Sequence, residues 1–461
     1  MVETNAHIYF GKVHFVNFIK RVNNNAVRII LKFRESIGRL YNVSLYRNAV
    51  YLLLSSGISS LLGFVFWIIV AHFYSTETVG LASAAISAAS LMAIIANFGL
   101  GQGLIRFLSQ AGDKANSLMN TCFTVAFIAS AVTALIFLFG ISVWSPALII
   151  LRKNPVFIAA FIVFTVAFNI INVGGDSFIA KRRSGLTLVN GLINGLLKML
   201  LVIVFAILSY SLGIFVSCTI SLIAAMMFGV FFLLPRAHSG YRPRLAINLS
   251  VLKGIARFSF ANYITTIVLS APGYILPIIV INKLGAKTNA FFYMAWLIGN
   301  ILITVASATG LSLMAEGSHD ETQLLIHLRQ ALKATFLILV PLVIIVLVFA
   351  DRLLLVFGKD YSQTGVILLR LLTLSVLPTA LNQIYINMKA VEKKLGVIIA
   401  LACATAAGTI ALSFILLPIM GVNGVGIATL GSQGMVALFI VSRWLINARK
   451  DKRRSDVHFP E

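Results

Sequence analysis

Apolar residues fill this chain in long blocks from residue 48 to residue 446, separated by short polar segments. Each block is long enough for a helix crossing a hydrocarbon layer about 30 Å thick. Twelve such spans are expected: 48–74, 79–108, 117–140, 156–179, 186–209, 212–234, 255–282, 287–314, 331–350, 361–388, 396–417 and 423–446. Several are longer than one crossing requires, so tilt or extension past the bilayer is expected. Pro272 and Pro277, with Gly273 between them, predict a kink in the seventh span, and Pro378 predicts one in the tenth.

Within the apolar blocks, polar residues recur at helical spacing. The second span carries Ser83, Ser87, Ser90 and Asn97, and the seventh carries Ser259, Asn262, Tyr263, Thr266 and Ser270. The eighth has Asn300, Thr304 and Ser307, and the first has Ser56, Ser59, Ser60 and Gly63. Serines alone are common in seams between membrane helices, but asparagines beside them point to a hydrated cavity. The fifth span presents Asn190, Asn194 and Lys198 at spacing four, hence on one face. Lys198 stands roughly 20 Å from the start of its helix, deep in the hydrocarbon. Such a charge is costly and usually functional. The alternative is a lysine paired with carbonyls in a seam, which Gly191 and Gly195 would allow to be close.

Composition agrees with the pattern: 59% of the 461 residues are hydrophobic and only 11% charged, and the mean hydropathy is +0.97. The fold class is therefore an all-α polytopic membrane protein. Cys122, Cys218 and Cys403 fall in three different blocks, which suggests packing residues and no disulfide framework or metal site.

The net charge of +23 could suggest nucleic acid, but the lysines and arginines lie mostly in alternate short loops and the two tails. That asymmetry sets topology, with both termini and the basic loops in the cytoplasm, and it requires an even number of spans. Residues 1–47 read as a basic amphipathic helix at the interface beside anionic lipids, with Phe15, Ile19, Val22, Ala26 and Ile30 on one face.

The chain also repeats. Gly99-Leu100 returns as Gly310-Leu311, Arg183 and Gly185 return as Lys394 and Gly396, and Gly213 returns as Gly424, all at one offset. Two six-helix parallel repeats follow, 48–235 and 255–446, joined by a basic linker over 236–254 and followed by a basic tail over 447–461.

The acids, by contrast, fall at span ends, in loops or in the tails. With basic residues as the ionisable groups inside spans, the chain suits anionic cargo such as a phosphate or pyrophosphate. Lys198 and Arg370 are the expected contacts, with Asn190, Asn194, Asn97, Asn262, Tyr263 and Asn300 as polar lining. The competing reading of Arg370 is an interfacial anchor.

Several segments resemble the polysaccharide (oligosaccharide-lipid) flippases of the MATE-like multidrug/oligosaccharidyl-lipid/polysaccharide exporter superfamily. They are Thr76-Glu77-Thr78-Val79-Gly80-Leu81, Asn97-Phe98-Gly99-Leu100-Gly101 followed by Arg106-Phe107, Phe357-Gly358-Lys359-Asp360-Tyr361, and Leu417-Pro418 through Ala428. The resemblance implies two six-helix bundles around a cavity that opens alternately to each side. It also implies a polyprenyl-phosphate- or polyprenyl-pyrophosphate-linked saccharide as cargo, and a coupling ion if translocation is ion-driven. A drug exporter of the same fold would normally carry a buried carboxylate. A membrane glycan polymerase or ligase would need a larger external loop than Gly140–Pro155, which has neither acid nor histidine.

Overall fold

The computed structural model describes residues 44–317 and 324–456. The amphipathic segment expected over 1–47 lies almost wholly outside the described residues, as does the end of the basic tail. The helices are α1 (Ser44–Phe73), α2 (Thr76–Ala96), α3 (Leu100–Phe107), α4 (Ala115–Phe139), α5 (Pro155–Ala180), α6 (Gly185–Ile207), α7 (Gly213–Phe228), α8 (Leu249–Gly317), α9 (Leu324–Val348), α10 (Lys359–Val391), α11 (Leu395–Met420) and α12 (Asn423–Asp456). Among the described residues, 11 helical stretches are long and apolar enough to cross a membrane. The one over Tyr263–Thr304 is two spans, because α8 leaves helical geometry at Gly285 (φ 83°, ψ 172°), a backbone region that glycine reaches without strain. Counting both segments restores the twelve spans of the sequence reading, in a multi-pass, all-helical membrane protein.

Local chemistry sets the ends. The Ser75 side chain accepts from Thr78 N at 3.2 Å and starts α2, with Glu77 in its first turn. Asn154 Oδ1 accepts from Val156 N at 2.9 Å, and Pro155 fixes the first turn of α5. Helix α5 ends on Arg182 at φ 54°, with Arg183 N donating to Phe178 O at 2.8 Å. Helix α10 ends in the same way on Lys393 at φ 58°, with Lys394 N donating to Lys389 O at 3.0 Å. The repeat seen in sequence thus recurs as one C-terminal turn built twice. The backbone stays helical through Pro272, Pro277 and Pro378. The break in the second span lies instead at Asn97–Gly99, where Phe98 (φ 48°) and Gly99 (φ 71°) separate α2 from α3.

In the first half, α6 packs on α1 and α7, while α5 packs on α4, α7, α2 and α3. In the second half, α10 lies against α8, α9 and α12, and α11 against α12 and α8. The halves meet chiefly where α2 crosses α8. Large apolar side chains such as Leu337, Phe139, Leu438 and Ile419 stand exposed around the bundle, as lipid-facing positions do.

The linker does not hang free. Asn116 and Asn120 of α4 donate to Gly240 O and Arg242 O, each at 3.1 Å. In return Arg244 N, Ala246 N and Asn248 N donate to Asn120 Oδ1, Thr124 Oγ1 and Thr121 Oγ1 at 3.1–3.2 Å. Polar residues spaced along α4 therefore satisfy the backbone of an extended strap. Asn248 Oδ1 then accepts from Ser250 N at 3.1 Å and Ser250 Oγ at 2.6 Å, in the first turn of α8.

Candidate functional site: a polar cavity between the halves

The two ends of the bundle differ. At the end bearing Arg152, Lys283 and Lys359, the halves are locked together. A Cβ placed on Gly80 would stand 1.8 Å from Ala286 O, so only glycine lets α2 approach α8 there. Beside it Asn289, fully buried, donates to Gly80 O at 2.8 Å and to Ser83 Oγ at 3.1 Å. Asn282 accepts from Ser145 Oγ and Ala147 N and donates to Trp144 O, tying the connection after α4 to α8. Trp67 packs on Tyr293 at 4.7 Å between ring centroids, and Phe64 on Phe357 at 5.4 Å.

Toward the end bearing the basic loops, two cavities open. The larger, of about 570 Å³, is lined by Ser87 and Ser90 of α2, Ser270 and Tyr274 of α8, and Tyr293, Trp296 and Asn300 beyond its break. Thr379, Asn382 and Gln383 of α10 complete the wall with Thr405, Thr409, Thr429 and Gln433 of α11 and α12. Its polar groups are held in place. Asn382 Nδ2 donates to Gln433 Oε1 at 2.8 Å, the Thr409 and Ser432 hydroxyls pair at 2.5 Å, and Asn300 Nδ2 donates to Trp296 O at 2.9 Å. The smaller cavity, of about 210 Å³, shares Phe168 and Tyr274 with the first and lies at the break in the second span. Asn97, Gly99, Gln102, Asn169, Asn172, Asp176, Tyr263 and Thr266 line it. Tyr263 closes it from the second half by donating to Ile95 O, with its ring 6.0 Å from that of Phe98.

The structure distributes the sequence candidates unevenly. Asn97, Tyr263 and Asn300 line these cavities. The side chain of Asn262 lies outside the described ones. Asn190, Asn194 and Lys198 do not line them: α6 sits between α1 and α7, and its stripe faces the interior of the first half. Lys198 Nζ rests 4.9 Å from the ring centre of Phe66. Gly191 and Gly195 make the close seam, against Ser59 and Leu62 of α1. Arg370 is exposed on α10 and donates Nε to Leu347 O at 3.2 Å, a bridge to α9 away from both cavities.

Sequence reasoning passed over the cavity-lining faces of α5 and α10. Phe168, Asn172 and Asp176 recur at spacing four on one face of α5, and Thr379 and Gln383 occupy the corresponding face of α10 at the repeat offset. The spacing was a usable signal. Asp176 stands near a span end, as expected, one turn from the end of α5, and from there it lines the cavity, with Oδ2 against Gly101 of α3.

At the basic-loop end, Glu392 sits between Lys389 (2.9 Å) and Lys394 (2.7 Å). Burial acts to raise its pKa, but the hydrogen bonds from both lysines outweigh it and hold the carboxyl below its usual value. His238, partly buried and near Lys181, is held below the usual histidine value by desolvation first and by that lysine second.

With the geometry in place, comparison decides the family. Residues 45–310 match the family model described as polysaccharide biosynthesis protein. The chain belongs to this family. No curated protein matches the chain. Among solved structures, it resembles the inward-facing conformation of a multidrug resistance MATE family transporter of the MOP superfamily, at 18% identity and TM-score 0.65, covering 87% of this chain and 99% of that one. The lipid II flippase MurJ in an inward closed conformation aligns at 14% identity and TM-score 0.70, covering 85% and 86% of the two chains. A MOP superfamily transporter from Pyrococcus furiosus, titled for the reverse polarity of its binding pocket, aligns at 17% identity and TM-score 0.59, covering 88% and 96%. At these identities the likeness is one of fold, and this polysaccharide biosynthesis family member has the fold of MOP superfamily membrane transporters.

Proposed function

We propose that this protein is a flippase that moves a polyprenyl-phosphate- or polyprenyl-pyrophosphate-linked saccharide from the cytoplasmic to the outer leaflet, with the basic loops in the cytoplasm. The observation that carries the reading is the cavity between the halves. It combines aromatic faces (Tyr274, Tyr293, Trp296) with oriented amides and hydroxyls (Asn300, Asn382, Gln383). Aromatic faces suit sugar rings and amides suit their hydroxyls, and a polar pocket inside a membrane bundle can pass a headgroup while its lipid tail stays in the bilayer. Family membership supports the link to polysaccharide synthesis. Alternating access would require the Gly80–Ala286 and Asn282 contacts to part as the basic-loop end closes. Headgroup contacts fall to this cavity rather than to Lys198 or Arg370.

The test is reconstitution in proteoliposomes with a fluorescent polyprenyl-pyrophosphoryl sugar. The wild type should deliver it to the far leaflet, and Trp296→Ala and Asn300→Ala should slow delivery at least tenfold, roughly the cost of one or two polar or stacking contacts. Failure of the wild type to translocate such a lipid overturns the reading. One observation favours a second reading, a cation-coupled drug exporter, because Asp176 supplies a cavity carboxylate. Efflux of cationic dyes without lipid translocation would decide for it.

A further inference from the structure

The strap that joins the halves dips along α4 and turns back. Gly240 O meets Asn116 near the start of α4, and Ala246 N meets Thr124 further in, a descent of about 12 Å along the helix. Asn248 then returns, its N–H donating to Thr121 Oγ1 at 3.1 Å and its Nδ2 to Ser117 Oγ at 3.4 Å. Non-helical backbone survives at membrane depth only where protein satisfies it, and the amides and hydroxyls of α4 do so here. Just past the tip, Phe127 is the first apolar residue of α4 to stand exposed. The strap itself presents Leu245 (83% exposed) and Ile247, side chains that favour hydrocarbon over water. Between the strap, α4, α5 and the Gly229–Leu233 segment after α7 lies a cavity of about 210 Å³. Phe127, Ile170, Phe231 and Leu245 make it chiefly apolar, and Asn120 and Arg244 supply polar groups. Ile170 is about 15 Å inside the end of α5, which is acyl-chain depth. Arg242 and Arg244 are both exposed, and among the described residues no acid pairs with either guanidinium. From residue 236 to residue 257 the chain has five basic residues and no acid.

We propose that this groove binds one anionic phospholipid of the leaflet on the basic-loop side, its phosphate on Arg242 and Arg244 and part of an acyl chain in the cavity. Guanidinium groups hold phosphate by paired, charge-assisted hydrogen bonds. Long arginine stems let the charges reach the headgroup layer while the backbone lies deeper. The groove is on the outer surface of the first half and shares no residue with either cavity between the halves. Its apolar walls suit an acyl chain and offer little to a saccharide, which separates this occupant from a lipid-linked sugar. A bound lipid would hold the strap against α4, and because Asn248 also starts α8, its occupancy biases how the halves meet. The site does not depend on the identity of the cargo.

The test uses purified full-length protein in detergent, with dioleoyl phosphatidylglycerol as probe and dioleoyl phosphatidylcholine as its neutral counterpart. Phosphatidylglycerol should raise the melting temperature, and native mass spectrometry should show it retained where phosphatidylcholine is lost. Arg242→Gln combined with Arg244→Gln should weaken phosphatidylglycerol binding at least about tenfold; unchanged melting without lipid reports intact folding. Arg152→Gln combined with Lys153→Gln, at the opposite end, should bind as the wild type does. In proteoliposomes, Leu245→Trp should add emission that phospholipids brominated in the acyl chain quench. Equal retention of the two lipids by the wild type overturns the site, as does equal phosphatidylglycerol binding by the Arg242 and Arg244 double variant. Emission from Leu245→Trp that brominated lipid leaves untouched overturns the dip into the bilayer and the site with it. Displacement of phosphatidylglycerol by equimolar polyprenyl phosphate overturns the choice of occupant, in favour of cargo docking. Translocation is not read in these assays, so failure of the lipid site leaves the flippase reading standing, and failure of translocation leaves the lipid result intact.

Discussion

Two charges stand on polar stripes of neighbouring helices in the first half, and they have opposite surroundings. Lys198 on α6 is placed near mid-membrane by its position in the sequence, but its helix packs between α1 and α7 and its ammonium rests on Phe66. Its stripe continues through Thr187, Asn190 and Asn194, whose buried oxygens have no hydrogen-bond partner among the described residues. Asp176 on α5 lies near a helix end, the position where a sequence reading discounts an acid, and it faces the cavity between the halves. Depth along a helix is therefore a poor guide to function. What decides is which neighbour the face meets, and spacing within one helix carries no information about that.

The contrast can be broken or sharpened by substitution, beginning with the seam that hides Lys198. Gly195→Leu would drive side-chain atoms into Leu62, whose Cδ1 lies 2.5 Å from the position of a Cβ. Overpacking of this kind should destabilise the first half by roughly 3 kcal/mol. A lowered melting temperature in detergent is the expected result. Lys198→Met removes a charge with no acid beside it among the described residues and keeps the stem packed on Phe66. A gain of about 2 kcal/mol is expected, the scale on which apolar isosteres outperform buried charges. If the same variant abolishes lipid translocation while the protein stays folded, Lys198 contacts cargo after all.

Asn97→Ala should cost about 1 kcal/mol through loss of its bond to Asn169, read as a lower melting temperature in detergent. The smallest effect is expected outside the membrane, at Glu392. Its carboxyl is held below the ordinary value, so it contributes stability above the unfolded pKa of 4.5 and loses it as pH falls through the folded value. Glu392→Gln should flatten that acid limb and cost at most about 1 kcal/mol, since Lys394 is largely exposed. A melting curve recorded from neutral to acid pH measures both.

The fold was more legible than the site. Apolar blocks long enough to cross a bilayer must be helices, so the spans and the repeat could be read directly. The turn at Gly285 falls in the gap between the seventh and eighth spans, where it was expected. One feature escaped that logic: the break at Asn97–Gly99 lies inside an apolar block. Asn97, Tyr263 and Asn300, legible because their stripes are dense in hydroxyls and amides, line the cavities. The α5 and α10 walls were missed because Asn172, Asp176, Thr379 and Gln383 are diluted among large apolar residues that face lipid or the core. Serines of α1 were read alongside the cavity stripes, yet Ser59 meets Gly191 in a helix seam. Small hydroxyl residues serve both settings equally well, and only packing tells them apart.

In the proposed alternating access, the strap along α4 constrains how the halves can travel. With residues 240–248 stitched to the first half, the connection between the halves contributes almost no slack, and the last residue of the strap, Asn248, belongs at once to α4 through Thr121 and to α8 through Ser250. The second half is thus mounted on a short pivot rather than on a tether. In the proposed alternating access such a pivot favours rotation over translation, and a small angular change at Asn248 would become a large displacement at Gly80 and Ala286, on the far side of the bundle.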